Sequence, residues 1–538
     1  MVTHTSRALL AAALLGSLAS VSRADRLVTT DGRVIEVKKA REAGDNYELV
    51  FAAGTVVVPK KHVTSVEIEG DMSDYVPKDD KERDFLAKGF VRHQGKWLSK
   101  PAFEEALAKA AEARRKRLEE LAKRSNFDNG WTLETKHFQW RSNTSPAVLQ
   151  RYVDLLEAFY DLMDTRIGIK PSPSLARTKM QVNVFKRQKE MIQHAGDEDI
   201  DESVLGYFSS YEQSLNFFHD YKDPARSEVT ALHECTHLLT YLVEPDYLPQ
   251  IWINEGVADF FGSCNVSVNK GKTTLIPGRL EEDSILTVQQ AIAEKKHVPL
   301  DTLMLKDREE YDGFHYAHGW SLVYFLQNSP KYAKPFNKLF KDLYGLDLKE
   351  AKEEILNAGD DDKSGLRKRY QPADVRDALV KRLGVKDLAA LEKEWLEYVG
   401  AVQIEGPRAR FLRGYSTVFS GGDLKQARAD LEAALAGGYV TPDVHWALGY
   451  TRLLGGDGKE AVLEFRKSVE LDPLDAVYRA DLAWGLTGWW GPDSGELRAP
   501  KEVQDEALLL FGLAAELDPE NDEFAELARG FAEIRAGK

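Results

Sequence analysis

Cysteine is scarce: Cys235 and Cys264 are the only two in 538 residues, which excludes a fold stapled by a disulfide framework. Two alternatives stay open for them, one bridge that closes a loop or two buried thiols. Long apolar runs are scarce as well. The main one, residues 8–21, spans 14 positions, short of the roughly 20 needed to cross a bilayer. Positive charge is in deficit, with 72 Lys and Arg against 87 Asp and Glu and a net charge of −15. Neither nucleic acid nor an anionic membrane is therefore the expected main partner. The chain also lacks a phosphate-binding Gly-x-x-x-x-Gly-Lys-Ser/Thr loop and a Gly-x-Ser-x-Gly elbow, which sets aside the nucleotide hydrolases and serine hydrolases built on them.

What is present begins with a targeting pattern. Arg7, the apolar run 8–21 and the small-x-small triplet Ser22-Arg23-Ala24 read as a signal peptide at 1–24, cleaved near Ala24. The expectation is an exported chain, periplasmic or extracellular, and no cysteine follows the run to carry a lipid anchor. Hydrophobic residues make up 43% and charged residues 30%, the balance of a soluble globular protein, and the length calls for several domains.

Residues 25–70 hold short β-branched runs parted by Asp31-Gly32, Asp45-Asn46 and Pro59, the pattern of hairpins curling into a small barrel or ribbon, and this module resembles the small SH3-like or Sm-like barrels. Residues 71–125 read as a linker whose stretch "KPAFEEALAKAAEARRKRLEELAKR", 100–124, is a charged helix with a thin stripe of Leu107, Leu118 and Leu121. From 126 to 402 strands precede helices: "WTLETKHFQWRS" and "KMQVNVFK" are strands, "PAVLQRYVDLLEAFYDLMDTRI" is an amphipathic helix, and "GYFSSYEQSLNFF" is a further strand or a hairpin. That order predicts an α+β domain. The acid-rich "GDDDKSG" at 359–365 lacks the alternating ligands and closing Glu of a calcium loop and reads as solvated.

From 403 to 538 the chain repeats itself. Ala427 and Ala461 stand 34 residues apart in matching contexts, and "ELDP" recurs at 470–473 and 516–519, one period plus a 12-residue insertion. A 34-residue period with these small and proline positions resembles the tetratricopeptide repeat. The resemblance implies an all-α, non-catalytic tail that binds a protein partner or a neighbouring domain.

The chemistry concentrates at "ALHECTHLLT", residues 231–240. On a helix His233 and His237 share a face and can both reach one ion, while Glu234 can reach a water beside it. Asp223 and Pro224 suit an N-cap and first helical position. Alone, this pattern is weak, and a pair of half-buried, inert histidines accounts for it equally well. A catalytic zinc takes a third protein ligand, and a second helical stretch, "QIWINEGVADFFGSC", places Glu255 eighteen residues past His237. Asp259 falls on the same face as Glu255, where it can accept the outer N–H of a ligand histidine.

His233-Glu234-x-x-His237 followed by Asn254-Glu255-Gly256-x-Ala258-Asp259 resembles the gluzincin zinc metallopeptidases, and among them the peptidase MA-like families that include the DUF1570 type. The resemblance implies one Zn2+ per chain held by His233, His237 and Glu255, Glu234 as general base and Asp259 as outer partner of a ligand histidine. It also implies an oxyanion donor beyond the glutamate ligand. "YDGFHYAHGWSLVYFL" (311–326) offers Tyr311, His315, Tyr316 and His318; Tyr316, 61 residues past Glu255, is favoured and His315 is next. Position also makes "GYFSSYEQSLNFF" either a substrate-binding sheet edge or an interior strand. The absence of an amino-terminus-binding Gly-x-Met-x-Asn motif favours an endopeptidase acting on peptide or protein. Two alternatives stand beside this reading: a partner-binding repeat protein with a structural or silent zinc site, and a metal-dependent hydrolase of some other amide.

Overall fold

The computed structural model describes residues 25–536 apart from 31–33, 70–71, 176–178, 197–199, 201–203, 222, 270, 352–353, 359–365, 420, 490, 492–498 and 520. The expected signal peptide and the "GDDDKSG" stretch lie outside the described residues. The chain divides into two compact units, Arg124–Glu405 and a second that joins the described parts of Met1–Lys123 and Gly406–Lys538.

The unit Arg124–Glu405 is built on a five-stranded mixed sheet. Its spatial order is Gly206–Ser209, Ser214–Phe218, Met180–Phe185, Phe138–Ser142 and Trp131–Glu134. The three inner strands are parallel and the two outer ones antiparallel to their neighbours. Parallel neighbours need a crossover, and the helix Pro146–Ile167 supplies it between Phe138–Ser142 and Met180–Phe185. Ser145 caps that helix by accepting from the Val148 N–H, Pro146 stands at its start, and Gly168 ends it with φ of 65°, the left-handed conformation glycine tolerates. Its residues Tyr152, Leu156, Phe159 and Met163 form one fully buried stripe at helical spacing.

Helices and strands thus alternate in the first part of this unit, a more interleaved order than strands followed by helices. "GYFSSYEQSLNFF" is a hairpin, and its first strand is the edge of the sheet. Two further hairpins, Cys264–Asn269 with Lys272–Pro277 and Glu354–Ala358 with Leu366–Tyr370, interrupt the helical second part. Their alternation is too short to stand out in sequence.

Two helices carry the motif residues, Pro224–Val243 and Ile251–Gly262. The second is buried nearly all round, and its glycines explain how. A Cβ on Gly262 would lie 3.3 Å from the backbone N and the Cβ of His233, and one on Gly256 would lie 2.8 Å from the Gly319 carbonyl oxygen of the helix Gly313–Asn328. Glycine therefore lets this helix lie against backbone on two sides. Cys235 and Cys264 are both buried free thiols, the second of the two alternatives.

In the other unit six strands form two three-stranded antiparallel sheets, Val34–Val37, Asp25–Thr29 and Val63–Glu67 in one, Lys39–Ala43, Asn46–Val50 and Thr55–Pro59 in the other. The linker region holds the helices Asp80–Ala87 and Lys100–Arg124 with a short hairpin, Val91–His93 and Lys96–Leu98, between them. Seven helices from Pro407–Phe419 to Asp522–Arg535 follow among the described residues, and Ala427, Ala461 and Ala507 are fully buried in them. The strands and these helices share one core: Leu27, Leu49 and Val58 pack with Leu474 and Leu513. Glu516 accepts the N–H groups of Ala52 and Ala53 at 3.0 and 2.8 Å. No helix among the described residues is long and apolar enough to cross a membrane.

Two stability outcomes follow from this packing. Gly256→Ala forces a methyl group against a carbonyl and lowers unfolding free energy by about 1–3 kcal/mol, measured by urea denaturation. Burial pushes His318 down to about 4, and burial with the nearby Arg151 pushes His219 down to about 4. Both stay neutral in the fold while the unfolded chain protonates them below about 6.5. Stability is then complete above that pH and falls as pH drops from about 6.5 to about 4. The loss is about 2–3 kcal/mol for the fully buried His318 and less for the half-buried His219. Urea midpoints in EDTA at pH 7 and pH 4.5 read it, and His219→Gln makes the dependence shallower.

Candidate metal centre

The first site helix, Pro224–Val243, begins where the sequence places its cap: Asp223 accepts from the Arg226 N–H, with Pro224 at the first position. Leu232, Leu238 and Leu239 are buried on its core side, which turns His233 and His237 toward the other side together. Their Nε2 atoms are 3.1 Å apart. From the second site helix, Glu255 brings Oε2 to 3.4 Å from Nε2 of His233 and 3.6 Å from Nε2 of His237. Four tetrahedral bonds of about 2.0–2.1 Å, those zinc makes with nitrogen and carboxylate ligands, set ligand atoms about 3.3–3.4 Å apart. A triangle of 3.1, 3.4 and 3.6 Å is thus of the size that could hold such an ion.

Surrounding groups orient two of the three, His233 and Glu255. Asp259 Oδ1 lies 2.8 Å from Nδ1 of His233, which places the ring's proton on Nδ1 and directs Nε2 to the triangle. Glu255 is 4% exposed, so its carboxylate needs compensation. Its Oε1 accepts from Arg308 at 2.9 Å and from the Asn254 amide at 3.1 Å, and Asn254 in turn accepts from the Tyr344 hydroxyl at 2.9 Å. That leaves Oε2 for the histidines. Burial opposes ionisation of Glu255, but His237 and His233 outweigh it and hold the carboxyl well below its usual range. Burial likewise works against a charged His233, and Asp259 with Glu255 overrides it, raising the imidazole well above 6.5.

Glu234 stands just outside the triangle, with Oε1 at 3.9 Å from Nε2 of His233. Its Oε2 accepts the backbone N–H of Phe208 at 3.0 Å, so the edge strand Gly206–Ser209 holds this side chain in place. Burial raises the Glu234 carboxyl above the ordinary range despite the two histidines. A carboxylate so placed can act as a proton acceptor nearer to neutral pH.

A cleft of about 900 Å³ opens over these groups. Phe208, His233, Glu234, His237, Glu255 and Tyr316 all line it. Tyr316, on the helix Gly313–Asn328, is half-buried; burial and the charge of Glu255 raise its hydroxyl above the usual value, so it remains a neutral donor at physiological pH. His315 does not line the cleft. Its side chain closes a capping box with Asp312 at the start of its helix, and His318 is fully buried with Nδ1 2.7 Å from the Phe314 carbonyl.

The motif residues His233, Glu234, His237, Glu255 and Asp259 therefore converge. Sequence reasoning missed Arg308, the Phe208 N–H and Tyr344. No local pattern could have found them, because each reaches the site from a segment 26 to 90 residues away.

Comparison with known proteins finds a likeness to one family, described as "Protein of unknown function (DUF1570)", over residues 228–341. That span takes in the motifs of both site helices and Tyr316. No curated protein matches the chain.

The electrostatics of the cluster give a measurable outcome. In EDTA-treated protein the ring protons of His233 titrate with a midpoint above 6.5, followed by NMR. Asp259→Asn removes the largest cause raising that value, and the midpoint moves downward.

Proposed function

We propose that the chain is a zinc-dependent hydrolase of peptide bonds. The observation that carries this reading is the convergence of His233, His237 and Glu255 on one point with a half-buried carboxylate, Glu234, held beside it. A structural zinc site has no use for that carboxylate and is commonly closed by a fourth Cys or His. The resemblance of the two motifs to gluzincin metallopeptidases supports the same reading.

When bound, zinc supplies Lewis-acid activation of water and of the scissile carbonyl. Glu234, its pKa raised by burial, takes the proton from the attacking water and passes it to the leaving amine. The N–H of Phe208 keeps Oε2 fixed, so the proton is accepted at Oε1, the oxygen nearer His233. Tyr316 donates its hydroxyl to the developing oxyanion. The strand Gly206–Ser209 ends the sheet and lines the cleft, so an extended peptide can add to it as a sixth strand through main-chain hydrogen bonds. Export through the leader at 1–24 and a tetratricopeptide-type, partner-binding role for the C-terminal helices belong to the same proposal.

Plasma mass spectrometry on protein purified with zinc is expected to find one zinc per chain in the wild type and in Glu234→Gln, and none in His233→Ala or Glu255→Ala. Turnover of a quenched-fluorescent peptide library falls about 10²–10⁴-fold in Glu234→Gln and about 10²–10³-fold in Tyr316→Phe. A zinc-free wild type, or a Glu234→Gln protein that cleaves as well as wild type, overturns the reading.

A further inference from the structure

The cleft that holds the candidate centre is lined by four basic side chains, Lys306, Arg308, Arg367 and Arg369. Three of them have carboxylate partners: Lys306 is 3.7 Å from Glu310, Arg308 is 2.9 Å from Glu255 and Arg369 is 3.5 Å from Asp307. Arg367 differs. Among the described residues its hydrogen-bond partner is the neutral Ser210 hydroxyl, at 2.6 Å, and its guanidinium lies over the Tyr241 ring, 5.9 Å from the centroid. Another carboxylate of the cleft, Glu244, accepts from the Asp246 N–H. A half-buried guanidinium with five donors has most of them left for something that enters the cleft.

The position of Arg367 is built, not incidental. Its strand, Leu366–Tyr370, is tied by main-chain bonds to the segment after the first site helix: the Lys368 N–H donates to Asp246 at 2.6 Å and the Leu248 N–H donates to Lys368 at 2.8 Å. The Gln250 amide donates to the Tyr370 carbonyl at 2.8 Å. Residues 367 and 369 alternate with these anchors and share one face of the strand. Tyr241 lies one helical turn past His237, about 6 Å along the helix axis, and Ser210 directly follows the edge strand.

We propose that Arg367 is a specificity-determining residue that binds a carboxylate of the peptide substrate. The inference rests on the peptidase reading of the same cleft. A planar guanidinium held by one hydroxyl and one ring suits a carboxylate, which it can grip with two parallel N–H donors. In a chain of net charge −15 the bulk field repels acidic peptides, so a local cation with no carboxylate partner among the described residues is what would admit one. The carboxylate belongs to an acidic side chain or to the peptide's C-terminus, and the two sources are distinguished by experiment.

Binding is measured by fluorescence anisotropy on full-length Glu234→Gln protein, so that probes are not consumed. The probes are four pools of fluorescein-labelled octapeptides made of neutral residues. Each carries either one Glu or one Gln, and ends in either a free carboxylate or a carboxamide. Pools that contain the recognised carboxylate are expected to bind about tenfold more tightly than the Gln, carboxamide pool. Preference within the carboxamide pools assigns it to the side chain, and preference within the Gln pools assigns it to the C-terminus. Adding Arg367→Gln removes the preference while leaving binding of the neutral pool within about twofold. Should that variant fail to fold, Ser210→Ala, which frees the guanidinium to reorient, is expected to weaken the preference severalfold. Equal binding of all four pools, or a preference that survives Arg367→Gln, overturns the proposal. Failure of the peptidase reading would look different: the preference would be present and wild-type protein would cleave none of the pools.

Discussion

A carboxylate buried between two imidazoles and a guanidinium is the constraint on which the rest of the site depends. Glu255 has no solvent to stabilise its charge, so it is anchored from one side by Arg308 and Asn254 and reaches from the other toward His233 and His237. Holding it there requires the two site helices to approach backbone to backbone. Gly262 meets His233 and Gly256 meets Gly319 at distances that any side chain would increase. The Asn-Glu-Gly run is thus a packing requirement as well as a chemical one.

The sheet contributes in a second way. Its edge strand lends the Phe208 N–H to Glu234 and at the same time forms a wall of the cleft. The proposed base and the proposed docking edge for substrate are therefore linked through one peptide group. A shift of that strand would move both, so the hydrolytic reading makes positioning of substrate and positioning of the base a single structural problem.

Much of this was legible in the chain. The helix Pro146–Ile167, the charged helix Lys100–Arg124 and the start of the first site helix at Asp223 lie where periodicity and caps place them, because caps and apolar stripes are set within a few residues. The hairpins Cys264–Pro277 and Glu354–Tyr370 were not legible, being short and in part exposed. Nor was the shared core in which Leu27 and Leu49 meet Leu474 and Leu513: two segments more than 400 residues apart carry no mark of each other, and each reads as a module of its own.

The sequence by itself determined the convergence of His233 with His237, since residues four apart on a helix must share a face. It also pointed to Glu255 and Asp259 through a second helical run at a characteristic distance. Tertiary structure alone decided the rest. It put Asp259 on Nδ1 of His233, turned His315 into a helix cap while Tyr316 lines the cleft, brought Arg308 to Glu255 from 53 residues away, and set Arg367 at the cleft against the Ser210 hydroxyl and the Tyr241 ring. Helical geometry is local and can be counted along the chain. Charge compensation in a buried site acts through space, and the segments that provide it become neighbours only when the core closes.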